Sequence, residues 1–151
     1  MTTFVSRALT AAALALGVTL TAAAQAQQVK PTLYKRIGGY DALAAVLDDF
    51  VPRLVTDPLV GKYFVGAGKD TQMHIRQMAL DFFCNITGGP CLYIGRPMKT
   101  AHTGLGINEA EWDAGVRHFQ ATLDKFKVPQ PEREELVAAV ARLKTDIVEK
   151  K

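Results

Sequence analysis

Three histidines, four methionines and two cysteines are the side chains of this 151-residue chain best able to bind a metal or carry redox chemistry. His102 stands in a segment without sustained periodicity, between two apolar helical stripes. An imidazole so placed can present one ring nitrogen to a cofactor while the other ring N–H bonds a backbone carbonyl. The plainer reading is a partly exposed loop histidine. His74 and Met78 lie four residues apart and share one helix face, with Met73 beside His74, and such soft donors would suit copper. Against that, Met78 falls in an apolar stripe and would serve as core, while His74 sits at the stripe's edge and would be solvated. His118, next to Phe119, is expected to point to solvent. Cys84 and Cys91 form either one disulfide or two buried thiols.

Several enzyme patterns are missing. No Gly-x-Ser-x-Gly, no phosphate-binding Walker loop and no His-Glu-x-x-His occurs. The carboxylate pairs Asp48-Asp49 and Glu134-Glu135 are adjacent, so their members point to different faces and read as solvated surface. Gly104-x-Gly106 precedes a helix, but no strand feeds it, which argues against a dinucleotide site. Hydrolase chemistry has little support.

Periodicity gives the elements that must position these residues. Leu43, Val46, Leu47, Phe50, Val51 and Leu54 form one helical stripe, opened by Asp41 as N-cap after a sharp reversal at Gly38-Gly39. Pro52 inside it should kink the helix, and Asp57-Pro58 marks the exit. A short apolar piece from Leu59 to Phe64 leads to Gly66 and Gly68. A second stripe of Ile75, Met78, Ala79, Phe82, Phe83 and Ile86 begins at Asp70 or Thr71 and stops at Thr87-Gly88-Gly89-Pro90. Residues 91–107 lack a period, and a loop this long in a compact domain is usually functional. Met98, Lys99 and His102 would share a short helical turn within it. Asn108 and Glu111 form a capping box for a helix bearing Trp112, Val116, Phe119, Leu123 and Phe126. Beyond Pro129 and Pro131 comes a last helix with Leu136, Val140, Leu143 and Ile147. No segment alternates with period two. The expected fold class is all-α, with four main helices and short pieces.

Composition narrows the rest. Residues 1–26 read as a removable export signal: Arg7 is their only charge, an uncharged run follows, and Ala24-Gln25-Ala26 is a small-residue cleavage box. The remaining residues, 27–151, suffice for one domain. Their 17 Lys and Arg are mixed with 15 Asp and Glu, so no nucleic-acid footprint stands out. No later stretch is long and apolar enough for a membrane span. Export to an oxidising compartment, such as a periplasm, would favour a Cys84–Cys91 disulfide.

Certain motifs, taken together, carry a family likeness. Leu33-Tyr34-Lys35-Arg36-Ile37-Gly38-Gly39 is followed by Asp49-Phe50, Asp57-Pro58, Phe64 and Thr87-Gly88-Gly89-Pro90. Met98-Lys99-Thr100-Ala101-His102-x-Gly-x-Gly-Ile107 completes the series. In order and spacing, from about Leu33 to Val148, the chain resembles the truncated haemoglobins and is most similar to their first group. That resemblance implies a globin-like two-over-two helical sandwich around a non-covalent haem b, since no Cys-x-x-Cys-His occurs for covalent attachment. It makes His102 the proximal iron ligand and sets Phe64 against the haem face. Phe50, Phe82 and Phe83 would wall the distal side with Ile75 and Ala79. Met98, Ile107, Trp112, Val116 and Phe119 would wall the proximal side, with Lys99 and Arg96 near the propionates.

On the distal side the chain departs from the family. Where many members place a tyrosine, this chain has Val51, and where some place an iron-binding histidine it has Met78. Met78 is therefore either a sixth iron ligand, which would raise the haem potential, or a filler of an apolar pocket, with His74 as a third candidate ligand. The functional expectation is an exported haem protein that binds a diatomic gas, NO or O2, with possible redox chemistry. The alternatives are a periplasmic one-electron carrier with a redox partner, and a helical copper-binding module.

Overall fold

A computed structural model describes residues 30–150, and the expected export signal lies outside them. Its elements are α1 (Leu33–Arg36), α2 (Gly39–Thr56), a 3-10 turn (Gly61–Phe64), α3 (Lys69–Ile86), α4 (Met98–His102), α5 (Glu109–Lys125), α6 (Gln130–Ala141) and α7 (Lys144–Ile147). Among the described residues the only extended pairing is an isolated bridge between Asn108 and Lys150. The four long helices match the expected number, and the class is all-α.

Helices α2, α3 and α5 form the heart of the molecule, with α6 closing one side. Leu43, Val46, Leu47 and Val51 of α2 meet Leu80, Phe83 and Cys84 of α3, Phe119 and Leu123 of α5, and Leu136 of α6. Phe83 stacks on Phe119 with ring centroids 5.5 Å apart, and Phe50 meets Phe119 edge-on at 5.3 Å. Such aromatic pairs contribute about 0.5–1.5 kcal/mol beyond their area. The α2 stripe is the face that packs, whereas Ile75 and Met78 of the α3 stripe and Trp112 and Val116 of the α5 stripe lie outside this cluster.

Local chemistry differs from expectation at several points. Helix α2 starts at Gly39 rather than at Asp41, because Gly38 takes φ +99° and so turns the chain directly into the helix. It runs through Pro52 to Thr56, whose Oγ1 donates to the Pro52 carbonyl. Helix α3 begins at Lys69, just before the expected start. The last stripe is two helices, since α6 stops at Ala141 and α7 begins at Lys144. No glycine or proline forces that break; packing of α7 on α4 competes with helix continuation. Phe126 is not on the α5 face but caps it, 40% exposed.

Two polar residues read as solvated prove to be structural. Asp49 lies between α2 and α5, where it accepts from Arg53 Nε at 2.6 Å, Thr122 Oγ1 at 2.9 Å and Lys125 Nζ. Arg53 first, then Lys125, hold its carboxyl far below the usual range. His118 Nε2 lies 2.7 Å from Asp57 Oδ2, and Asp57 Oδ1 also accepts from the amides of Leu59 and Val60. This ties α5 to the turn that leaves α2. By contrast Glu135 stays exposed and pairs with Lys30 and Arg36.

The capping box forms as expected: Asn108 Oδ1 accepts from the Glu111 amide at 3.0 Å, and Glu111 Oε2 accepts from the Asn108 amide at 2.9 Å. The sequence did not foretell that Glu111 is only 5% exposed and also takes Lys62 Nζ and the Tyr63 hydroxyl, the latter at 2.7 Å. These contacts fasten the 3-10 turn to α5. Cys84 and Cys91 are joined, so the end of α3 is stapled to the segment that follows it. At Gly89 the chain passes so close that an added Cβ would lie 2.6 Å from the Tyr34 ring.

Two predictions follow from these contacts. Lys62, then the Asn108 amide, lower the Glu111 pKa from 4.5 to about 2. A carboxylate with a lowered folded-state value stabilises the fold above its unfolded pKa and loses that contribution as pH falls toward the folded one. The melting temperature should therefore drop as pH is lowered from 4.5 toward 2, and Glu111→Gln should melt lower at neutral pH with a shallower acid slope. Reduction of Cys84–Cys91 should cost roughly 2–3 kcal/mol in denaturant titrations while leaving the helical circular dichroism intact.

Candidate functional site

The site is built from the second stripe, the irregular segment and the start of α5. Helix α4 has five residues, and His102 is its last. The His102 ring is half-buried, and its Nδ1 lies 2.7 Å from the Met98 carbonyl oxygen one turn earlier. That carbonyl can only accept, so Nδ1 carries the proton. Nε2 is left as the nitrogen with a lone pair, and no partner engages it among the described residues. This is the tautomer and orientation that a ligating imidazole needs.

Helix α3 carries the second set of candidate residues. Ile75, Met78, Ala79 and Phe82 lie at helical spacing on one side, while Leu80, Phe83 and Cys84 turn into the core. All four are only half-buried. So are Phe50, Phe64, Met98, Trp112 and Val116. Phe64, Ile75, Met78, Met98, Trp112 and Val116 also stand outside the main core cluster. Large apolar side chains on inward stripes that are neither buried nor exposed suit the faces of a flat apolar group. Phe50, Ala79 and Phe82 reach the core as well and join the two regions.

Some expected members sit elsewhere. Phe119 and Phe83 are buried in the core, 2% and 8% exposed, and back the site through Phe50 and Phe82. Ile107 is buried too, and its carbonyl accepts from the amides of Glu149 and Lys150. His74 is exposed along an open groove of about 910 Å³, between Leu47–Pro52 of α2 and Lys69–Gln77 of α3. Met73 beside it is 66% exposed. Among the described residues no group of three His, Cys, Asp or Glu could hold a metal, so a copper site would rest on one histidine and two thioethers. Arg96 and Lys99 are exposed on either side of Met98.

Tyr93 was not singled out from the sequence. Its ring meets Phe82 edge-on at 5.2 Å, and its hydroxyl donates to the Arg96 carbonyl at 2.7 Å. No sequence pattern marks it, since residues 91–94 are all apolar; only in the fold are Cys91 and Tyr93 half-buried while Leu92 and Ile94 are 78% and 77% exposed. Tyr93 and the disulfide thus pin the middle of the segment between α3 and α4 to α3.

The half-buried side of α3 carries few polar donors. Val51 is 7% exposed in α2, where a tyrosine would have offered a phenol. Gln72, on the first turn of α3, spends its amide on the Ala67 carbonyl at 2.9 Å. Among Ile75, Met78, Ala79 and Phe82, only the Met78 thioether has a lone pair to offer.

Comparison with known proteins gives the family. The family model described as bacterial-like globin matches residues 32–149. A group 1 truncated haemoglobin of Mycolicibacterium paratuberculosis is 31% identical over 116 residues, covering 77% of this chain and 83% of the relative. One from Nostoc sp. is 31% identical and covers 79% and 98%. Among solved structures, the Fe(III) truncated haemoglobin of Tetrahymena pyriformis superposes with TM-score 0.73 at 26% identity, covering 80% of this chain and all of that one. The 2/2 haemoglobin of Synechococcus sp., solved with covalently attached haem, gives 0.72 at 25% identity, covering 78% and 98%. The chain is a member of the bacterial-like globins and falls among their group 1 truncated haemoglobins.

Proposed function

We propose that the chain holds a non-covalent haem b between α3 and α4 and binds a small diatomic gas at an iron ligated by His102 Nε2. Membership of the globins supports haem-based ligand binding. The observation that carries the assignment is the 2.7 Å bond from His102 Nδ1 to the Met98 carbonyl, which leaves Nε2 as the ligating nitrogen. The donor set fits the group: one oriented imidazole, apolar half-buried walls on both sides, and the cations Arg96 and Lys99 available to carboxylates at the rim. Bound there, the haem would supply an iron that takes up a gas, while the protein supplies its axial nitrogen and a dry pocket.

The apolar distal wall favours NO over stored O2. Bound dioxygen gains from a hydrogen-bond donor, and NO needs one less. The Cys84–Cys91 disulfide supports an oxidising compartment such as the periplasm, since cytosolic reductants keep such thiols reduced. Among the described residues no helix is long and apolar enough to cross a membrane.

One observation favours a second reading. Met78 is half-buried on the same face of α3 as Ile75 and Phe82, so its sulfur is available as an internal sixth ligand. The protein would then be a one-electron carrier with a redox partner. The exposure of His74 leaves it the weaker candidate for that role.

His102→Gly should lower haem affinity by more than the roughly 10–100-fold that loss of a second-shell partner costs. Titration of haem into the apoprotein measures this, and an unaltered Soret band and affinity would refute the assignment. Optical spectra of Met78→Leu in both redox states separate the two roles. Unchanged spectra and rapid CO binding to the ferrous protein are expected for a gas binder. Altered spectra, with CO binding slow in the parent and fast in the variant, would make Met78 a ligand.

A further inference from the structure

We propose that Glu149 is a positioning residue for His102, holding the chain that leaves α4 through a two-point carboxylate clamp. The proposal rests on the haem reading of His102 given above. Beyond His102 the chain passes through Gly104 and Gly106 with φ +89° and +67°, a backbone that glycine adopts without strain. In that conformation their amides converge on one carboxylate. The Gly104 N–H donates to Glu149 Oε1 at 2.8 Å, and the Gly106 N–H donates to Oε2 at 2.5 Å. The Leu105 amide between them turns back to the His102 carbonyl, and charge-assisted bonds such as the two to Glu149 are stronger than neutral ones. The two donors draw the Glu149 carboxyl below its ordinary range.

The same short stretch is held by its backbone. The amides of Glu149 and Lys150 both donate to the Ile107 carbonyl, at 2.8 and 3.2 Å, and Ile107 itself is buried. Helix α7 packs on α4 just upstream, and Lys144 of α7 pairs with Glu109 of α5. Residues 144–150 therefore strap the far side of the histidine-bearing segment. The strap reaches the histidine through one further bond, from the Leu105 amide to the His102 carbonyl at 3.2 Å. A shift of the loop between Gly104 and Gly106 thus moves the His102 backbone. Within α4 the ring is held by the Met98 carbonyl alone, so its height over a bound group depends on where the strap sets the helix end.

Three measurements on Glu149→Ala, Glu149→Gln and Glu149→Asp test the clamp. The first is amide hydrogen exchange at Gly104 and Gly106 in the haem-free protein, which needs no cofactor. The second is the rate of haem release from the ferric protein to excess apomyoglobin. The third is the iron–histidine stretching band of the ferrous protein. In Glu149→Ala both glycine amides should exchange about tenfold faster, as loss of a charge-assisted bond implies. Haem release should quicken and the iron–histidine band should shift or broaden. Glu149→Gln should fall between, and Glu149→Asp should restore part of each effect, a graded result that a folding defect would not produce. Unaltered glycine exchange overturns the clamp. Faster exchange with unchanged haem release and an unchanged band overturns its role toward His102. Failure of the haem assignment shows separately, as a His102→Gly variant that keeps the parent's haem spectrum.

Discussion

A helix of five residues cannot hold itself. Isolated helices need about 12–15 residues to be even marginally stable in water, and α4 has five. The residue on which the haem reading turns is the last of those five, so its place is set by what grips α4 from outside. The staple at Cys84–Cys91 and the Tyr93 ring fix the chain that enters it, α7 covers it, and the C-terminal segment catches the chain that leaves it. The sole internal restraint on the ring is its bond to the Met98 carbonyl.

Helix α3 is held differently. Helix α3 is long enough to be stable once one side is buried, and Leu80, Phe83 and Cys84 provide that burial against α2 and α5. Its other side carries Ile75, Met78, Ala79 and Phe82 half-buried, with Ala79 and Phe82 also reaching the core. Phe50 and Phe82 bridge the two regions through edge contacts with Phe119 and Phe83, so the walls of the site continue into the close-packed interior. Helix α3 is thus held by its own burial, whereas α4 is held by its surroundings.

Polar side chains fasten the pieces that hydrophobic packing leaves loose. Glu111 ties the 3-10 turn bearing Phe64 to α5, Asp49 ties α2 to α5, and Asp57 with His118 ties the turn after α2 to the same helix. Each carboxylate accepts several donors at once, which satisfies it in partly buried surroundings. Sequence patterning does not reveal such roles, because an acidic residue on a helix looks the same whether its partners are water or a distant lysine.

What the sequence determined alone is what depends on neighbours in the chain. The four long helices, the glycine reversal before α2, the capping box at Asn108 and the candidate histidine at 102 rest on spacings of a few residues, and those spacings specify helix faces. The order of motifs was enough to indicate the family. Tertiary structure decided everything that joins residues far apart: the break at Arg142–Leu143, the burial of Asp49, the pairing of His118 with Asp57 and the grip of Glu149 on Gly104 and Gly106. These contacts span from 43 to 76 residues where they cross between helices or loops. Only closure of the chain into a folded body makes partners of residues so distant, and no local pattern encodes which of them will meet.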